Sequence, residues 1–246
     1  MKDLFSGHAE SYAQARPVYP QVLMDYVLQH CVQRDCAWDC ATGSGQFARL
    51  MAGAFHHIEA TDLSAKQLAN APQFANINYT VQVAEQTNFP DHFFDFVAVA
   101  QAIHWFDFDA FYQELKRVLK PEGLFAVIGY GLIEIEDVAL NSVIQQLYHQ
   151  TLQGYWDAER RYIDELYATI PFPLNEIAIP AAEKAQMNLS YTWSISQLYD
   201  YLNTWSAVKH YQHQNQSDPL ACLAPWLGHD TMYQLHFPLL LRLGRF

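Results

Sequence analysis

Basic side chains are scarce in this sequence. Its 246 residues include 14 Lys and Arg against 26 Asp and Glu, which gives a formal net charge of −12. A surface of this sign repels the phosphate backbone of DNA or RNA on average, which argues against nucleic acid as a partner. We therefore expect the partner to be a small molecule.

Cysteines are also few, and their spacing matches no metal or redox motif. The sequence contains Cys31, Cys36, Cys40 and Cys222. No two of them form a C-x-x-C pair, and the histidines at 210 and 213 have no acidic residue beside them. We predict buried, reduced thiols and no metal ion.

Long apolar runs are missing. No run reaches the roughly 18 residues that a membrane-spanning helix needs, and residues 1–6 do not resemble the apolar core of a signal peptide. We therefore expect a cytoplasmic protein with no membrane partner. No internal repeat, low-complexity tract or Gly/Ser linker divides the chain. This predicts a single domain over residues 1–246, present as a monomer or a homodimer.

The sequence does contain an alternation of strand-like and helix-like segments. Apolar residues make up 51% of the chain, enough for a large core. Up to residue 131 the alternation is typical of a doubly wound, Rossmann-like α/β sheet with helices on both faces. Residues 185–193 and 233–243 are predicted as the last two strands, which makes the sheet mostly parallel and seven-stranded. Residues 132–184 interrupt the pattern and are predicted to form a helical cap insertion.

The first predicted strand ends in a pattern typical of a nucleotide site. Asp39 lies near the end of that strand, and the following turn contains Gly43 and Gly45 before a helix begins. Glycines let the backbone approach a ligand, and a helix N-terminus follows them. The Asp39 carboxylate would lie close to the pyrophosphate of a dinucleotide, whereas an ammonium or sulfonium group would be attracted to it. The pattern therefore favours a cationic nucleoside ligand.

The second predicted strand, residues 57–62, ends in another acidic residue. Asp62 at this position can accept hydrogen bonds from both ribose hydroxyls, and Leu63 can cover one face of the adenine. Because the carboxyl ends of parallel strands meet at one edge of the sheet, Glu85 and Gln101 are expected at the same edge.

Two other classes of function stay open. The run Gly43-x-Gly45-x-x-Ala48 also fits the dinucleotide fingerprint, so an NAD-dependent oxidoreductase is one alternative. Asp39 before the loop argues against it. The other alternative is a non-catalytic protein that binds a nucleoside ligand and catalyses no reaction.

Together these features resemble the class I S-adenosylmethionine-dependent methyltransferases. That family has an acidic residue and three glycines after strand one, an acidic residue after strand two, and a Leu-Lys-Pro-x-Gly turn before strand five, here residues 119–123. Ala41 stands where the family has its first glycine. The run His-Trp-Phe-Asp at 104–107, and Tyr12 followed by Arg-Pro-x-Tyr-Pro at 16–20, resemble the type 11, trans-aconitate methyltransferase-like subgroup with small-molecule substrates. The resemblance covers residues 5–131 well and the rest loosely.

The resemblance implies a cofactor and a set of contacts. The cofactor is S-adenosyl-L-methionine, and the product is S-adenosyl-L-homocysteine. Ala84 and Glu85 are implied at the adenine, Tyr12 and Arg16 across the cofactor mouth, and Trp105 as a wall against the sulfonium. The residues predicted to bind the cofactor are Tyr12, Arg16, Asp39, Ala41, Gly43, Gly45, Asp62, Leu63, Ala84, Glu85, Gln101 and Trp105.

The expected reaction is transfer of a methyl group to a small molecule by in-line displacement. The enzyme mainly has to position the reactants and exclude water. A carboxylate acceptor needs no base, whereas a hydroxyl or amine acceptor needs one, for which His104 is the candidate. The sequence leaves the carboxylate, hydroxyl and amine open.

Overall fold

The computed structural model describes residues 16–228 and 230–246. Tyr12 lies outside the described residues, so its place at the cofactor mouth stays a prediction. Within those two ranges, no helix combines the length and apolar character needed to cross a bilayer.

Ten strands form two sheets in the described residues. The strands are β1 (Cys36–Cys40), β2 (His57–Asp62), β3 (Ile77–Val81), β4 (Phe94–Ala100), β5 (Leu119–Tyr130), β6 (Glu134–Ile135), β7 (Asn175–Ile177), β8 (Leu189–Ser194), β9 (Met232–Phe237) and β10 (Leu239–Arg245). The large sheet has seven strands in the order β3-β2-β1-β4-β5-β10-β7. β1 to β5 are parallel, and β10 is antiparallel to β5 and β7. The predicted mostly parallel, seven-stranded α/β fold is confirmed.

Helices cover this sheet and connect its strands. The α-helices of the described chain are α1 (Gln21–Gln29), α2 (Gln46–Met51), α3 (Ala65–Ala69), α4 (Phe108–Val118), α5 (Val138–Gln146), α6 (Arg161–Asp164), α7 (Ala181–Gln186), α8 (Ile195–Leu202) and α9 (Ser206–Asn215). Short 3-10 turns occur at Ile103–Trp105, Ala158–Arg160 and Pro219–Trp226, and a π-helical turn occurs at Leu147–Thr151.

The period of two along each strand divides the core between the two faces of the sheet. In β4, Phe96 and Ala98 belong to the core that α1 and α2 cover, while Val97 and Val99 belong to the core under α4. Both faces are therefore buried, as expected for a parallel sheet between helical layers.

Strands occur at both of the last two predicted positions, but their sheet assignments differ in part from the prediction. The strand predicted at 185–193 is β8, which pairs with β9 in a separate antiparallel sheet of order β6-β9-β8. β7 occupies the edge of the main sheet instead. The strand predicted at 233–243 is divided at Pro238 into β9 and β10. Proline has no N–H and cannot continue a ladder, so the chain changes sheets at that residue.

Helical segments are spread through the interval 132–184 but do not make up most of it. It contains α5, the π-helical turn, the 3-10 turn Ala158–Arg160, α6 and the first part of α7. It also contains β6, and β7 near its end is part of the main sheet. Whether this interval acts as a cap over the active site stays a proposal, which we argue below.

Two non-glycine residues adopt left-handed backbone conformations directly after strands of the main sheet. Ala41 directly follows β1 and has φ 57°, and Gln101 directly follows β4 and has φ 54°. These strands are neighbours at the point where strand order reverses, which is where α/β sheets bind ligands. A side chain with a Cβ pays about 1–2 kcal/mol for this conformation, and such strain concentrates at functional sites.

Replacing Ala41 by glycine should relieve that strain. We expect Ala41→Gly to raise the free energy of unfolding by about 0.5–1 kcal/mol, because glycine adopts positive φ without a Cβ clash. Denaturant unfolding measures the change. Ala69→Gly in α3 is the matched control, which should lower the same quantity by about 1 kcal/mol. An equal decrease in the free energy of unfolding of both variants would contradict the interpretation that Ala41 is strained.

Candidate active site

The loop between β1 and α2 brings its glycines to the carboxyl edge of the sheet. Gly45 precedes α2 with φ 77°, and a Cβ there would lie 2.7 Å from the Tyr79 hydroxyl. Gly43 has φ 58°, but a Cβ there would meet no atom within 4 Å. Gly45 is therefore required by packing, while Gly43 presents open backbone to a ligand.

Asp62 at the end of β2 lies against this loop. One carboxylate oxygen accepts a hydrogen bond from the Gly43 N–H at 2.9 Å, and the other accepts one from the Ser64 N–H at 2.8 Å. Each oxygen has a second lone pair, so the carboxylate can also accept ribose hydroxyls. Leu63 beside it is half-buried.

Asp39 is fully buried under the same loop. Its Oδ2 accepts hydrogen bonds from the Thr42 hydroxyl and, at 2.8 Å, from the Ala48 N–H. Its Oδ1 is buried and has no hydrogen-bond partner among the described residues. Burial raises the pKa of Asp39 to about 7; the Thr42 and Ala48 hydrogen bonds oppose this rise, and the Asp62 charge adds to it. A cationic group near Oδ1 would favour the charged form.

Ala84 and Glu85, the two residues predicted at the adenine, lie in a turn that follows β3. β3 ends at Val81, and Val83 pairs with Gln86 in an isolated bridge. Ala84 is buried, and the Glu85 carboxylate accepts a hydrogen bond from the Asp107 N–H at 3.2 Å. Glu85 thus links this turn to the start of α4.

A pocket adjoins the carboxyl end of β4. It is a cleft with a cavity volume of about 60 Å³, and it is partly open to solvent. Its walls come from the segment before α1, the turn after β4, the 132–184 interval and the start of α9. The lining residues are Arg16, Gln101, His104, Trp105, Trp156, Asp157, Arg160, Ile163, Trp205 and Ser206.

Two guanidinium groups lie in this pocket. Arg16 donates a hydrogen bond to the Tyr130 hydroxyl at 3.1 Å. Arg160 donates to the Tyr148 hydroxyl at 2.7 Å, and its charge lies 4.9 Å from the centre of the Trp156 ring. Aromatic contacts of this kind hold a guanidinium in place without neutralising it.

His104 is buried between these charges and is 5% exposed. Its Nδ1 lies 3.1 Å from the hydroxyl of Tyr167. Burial, followed by the positive charges of Arg160 and Arg16, lowers the pKa of His104 to about 3. The imidazole is therefore neutral near pH 7, and in this environment it is a weak base.

Sequence patterns identified only part of this pocket. Arg16, Gln101, His104 and Trp105 were predicted site residues, and all four line it. Asp157, Trp205 and Ser206, together with Tyr167 behind His104, were not predicted as site residues. No spacing links these residues to the glycine loop, because long-range packing brings them there.

The comparisons with known proteins agree with the geometry. The family model described as a methyltransferase domain matches residues 38–127. A solved structure described as a type II methyltransferase from Anaeromyxobacter dehalogenans is 34% identical, with a TM-score of 0.83, over 94% of this chain and 97% of that one. A Dictyostelium discoideum protein described as a methyltransferase is 29% identical over 99% of this chain and 95% of its own length.

The chain therefore belongs to the class I S-adenosylmethionine-dependent methyltransferases. The open backbone at Gly43, the two acceptor oxygens of Asp62 and the buried, unpartnered Oδ1 of Asp39 fit such a cofactor. The narrower resemblance to trans-aconitate methyltransferases stays a prediction.

The carboxylate of Asp62 should carry much of the cofactor affinity. We expect Asp62→Ala to weaken S-adenosylhomocysteine binding ten- to a hundredfold, because hydrogen bonds to a charged group contribute about 1.5–3 kcal/mol. Calorimetric titration measures the Kd. Asp137→Ala is the control. The Asp137 carboxylate also accepts a hydrogen bond from a backbone N–H, that of Leu140 at 2.8 Å, but this contact is at the N-terminus of α5. Unchanged affinity in folded Asp62→Ala would remove Asp62 from the site.

The buried carboxylate of Asp39 should make cofactor affinity depend on pH. Its pKa is raised by folding, so its contribution to stability is fully present below the unfolded value and is lost as the pH rises through about 7. As the pH rises through this window, the free energy of unfolding of Asp39→Asn should therefore come to exceed that of the wild type, by up to about 4 kcal/mol.

The same variant should bind S-adenosylhomocysteine more weakly, because it has no charge to attract the α-ammonium group. Wild-type affinity should fall as the pH drops below about 7, while the affinity of Asp39→Asn should stay flat. Calorimetric titrations from about pH 5 to about pH 8 measure both profiles. Parallel profiles for the two proteins would show that Asp39 does not face the ammonium group.

Proposed function

We propose that this methyltransferase transfers the methyl group to the carboxylate of a small acidic molecule held between Arg16 and Arg160. The observation that carries the proposal is the pair of guanidinium groups in one pocket, beside a histidine whose pKa is lowered first by burial and then by their charges. Arginine forks bind carboxylates in two-point hydrogen bonds. The tryptophans at 105, 156 and 205 would cover the rest of the acceptor.

When bound, the cofactor would supply a methyl group on a sulfonium, which a carboxylate oxygen could displace with the electron pair of the carbon–sulfur bond leaving on sulfur. The residues proposed to hold it are those at the sheet edge, with Gly43 and Asp62 at its centre and Ala84 and Glu85 toward the adenine. Trp105 would lie near the sulfonium. These residues bind and orient; none has to move a proton.

The weak basicity of His104 supports a carboxylate over a hydroxyl or an amine. A hydroxyl acceptor needs a base whose pKa is near the working pH, and the pKa of His104 is far below that. A carboxylate is already ionised and nucleophilic. We therefore propose that His104 orients the acceptor by hydrogen bonding rather than serving as a general base.

The interval 132–184 is proposed as the cap of this site. It contributes Trp156, Asp157, Arg160 and Ile163 to the pocket, opposite Gln101 and the turn that follows β4. An open sheet edge cannot exclude water by itself, and displacement at a sulfonium is faster in a site that does. Acceptor choice would then reside in the cap, and cofactor affinity in the first half of the chain.

Removing the charge of Arg160 should weaken acceptor binding selectively. We expect Arg160→Gln to raise the KM of an acidic acceptor ten- to a hundredfold while leaving the Kd for S-adenosylhomocysteine nearly unchanged. The neighbouring Arg161→Gln is the matched control, because Arg161 is exposed, bonds to the Tyr162 hydroxyl at 3.0 Å and does not line the pocket.

The acceptor class can be determined with a panel of small acids, their alcohols and their amines, using S-adenosylhomocysteine release as the measure of turnover. Methyl esters release methanol in alkali, whereas methyl ethers and methylamines do not. Alkali-labile product formed only from acids supports the proposal. Alkali-stable product from an alcohol or amine would overturn it, and cofactor binding without turnover of any acceptor would favour the non-catalytic alternative.

A further inference from the structure

A chain of hydrogen bonds links the sheet edge to the proposed cap behind His104. The side chain of Gln101 donates from Nε2 to the backbone carbonyl of Tyr130 at 3.1 Å. The Tyr167 hydroxyl donates to Oε1 of Gln101 at 3.1 Å, and Nδ1 of His104 lies 3.1 Å from that hydroxyl. These residues come from β5, the turn after β4 and the segment after α6.

The direction of this chain is fixed at one end. A backbone carbonyl can only accept, so the group of Gln101 facing Tyr130 must be its NH₂, and its carbonyl oxygen must face Tyr167. The Tyr167 hydroxyl has one proton, which it gives to Gln101. Its oxygen can then only accept from His104, so the hydrogen in that contact belongs to Nδ1.

The packing around this chain leaves Tyr167 little freedom. Its side chain is fully buried, and a Cβ at Gly129 would lie 2.7 Å from both its ring and Oε1 of Gln101. Leu166 and Tyr167 have φ 55° and 60°, and Gln101 has φ 54°. Burial raises the pKa of the Tyr167 hydroxyl well above its usual range, so it stays a donor. Strained backbone persists only where its surroundings determine it fully.

We infer that Tyr167 is a positioning residue that holds the proton of His104 on Nδ1, so that the imidazole presents an unprotonated Nε2 to the acceptor pocket. The assignment of the proton stands on the hydrogen-bond chain alone. Its consequence rests on the proposed function: a bare Nε2 accepts an O–H or N–H and repels a carboxylate oxygen. His104 would thus favour acceptors that carry a hydrogen-bond donor next to the carboxylate that the arginines bind.

The tautomer can be read directly by NMR of the whole protein labelled with ¹⁵N at its histidines. The carbon-bound Hδ2 correlates with Nε2 through two bonds, so the spectrum identifies which ring nitrogen lacks a proton. His104→Gln removes one set of signals and assigns it. We expect wild-type His104 to be almost entirely the Nδ1–H form. A wild-type Nε2–H form would overturn the inference without bearing on acceptor class, since no turnover is measured.

Two variants then separate positioning from simple packing. Tyr167→Phe keeps the ring and removes the hydroxyl, and should convert the single tautomer into a mixture. Gln101→Met removes the group that accepts the Tyr167 proton, so Tyr167 can donate to Nδ1 instead, and the tautomer should invert to Nε2–H. A purely structural role predicts loss of stability in both variants with no inversion. An unchanged tautomer in folded Gln101→Met would overturn the inference.

The matched control is Tyr112→Phe. Tyr112 lies on α4, is buried, and donates its hydroxyl to the Pro171 carbonyl at 2.6 Å, so the substitution removes one buried phenol hydrogen bond to the same segment of chain. It does not line the pocket or contact His104. We expect the His104 signals and the kcat of Tyr112→Phe to match the wild type, whereas Tyr167→Phe should show a lower kcat with the Kd for S-adenosylhomocysteine unchanged.

Discussion

The geometry of the cofactor edge depends on the carboxylate of Asp39. It is buried at the end of β1 and accepts the N–H of Ala48 in the first turn of α2, together with the hydroxyl of Thr42. These contacts bind the strand to the helix, so the turn between them has one arrangement. Gly43 in that turn then meets the carboxylate of Asp62 from β2. Two acidic side chains therefore fix the loop from both sides, at the cost of burying one of them.

Burial gives the neighbouring pocket a different electrostatic character. Burial, aided by the charges of Arg160 and Arg16, lowers the pKa of His104 and keeps it neutral. Aromatic rings rather than carboxylates hold much of the Arg160 guanidinium. The nearest salt-bridging oxygen, on Asp164, is 3.7 Å from Arg160. The Arg160 guanidinium can therefore respond to an added anion, because its field acts in a site that is partly shielded from water. The proposed cofactor edge contains Asp39 and Asp62, whereas the proposed acceptor pocket contains Arg16 and Arg160 together with Asp157.

Local sequence patterns predicted the first half of the molecule. There, residues that are close together in the sequence also come together at the proposed site. β2 begins and ends at the predicted residues 57–62, and Asp39, Gly43 and Asp62 come together because consecutive parallel strands end at one edge. Local patterns did not predict the arrangement of the second half. Alternation identified β8 as a strand but carried no information on which sheet it joins. Tyr167 follows a short helix and reaches His104 from 63 residues away, so no periodicity or motif could connect them.

The net charge of −12 raises the question of how an acidic protein would attract an acidic acceptor. At physiological ionic strength, charges separated by more than about 8 Å are largely screened, so the average charge of the surface acts weakly on an approaching molecule. Inside the pocket the distances are shorter and water is partly excluded, so Arg16 and Arg160 dominate there. An overall negative charge then discourages polyanions, which must contact a wide surface, while a small acid needs only the pocket. Under the proposed function, the same chain would disfavour nucleic acid and still bind a small carboxylate.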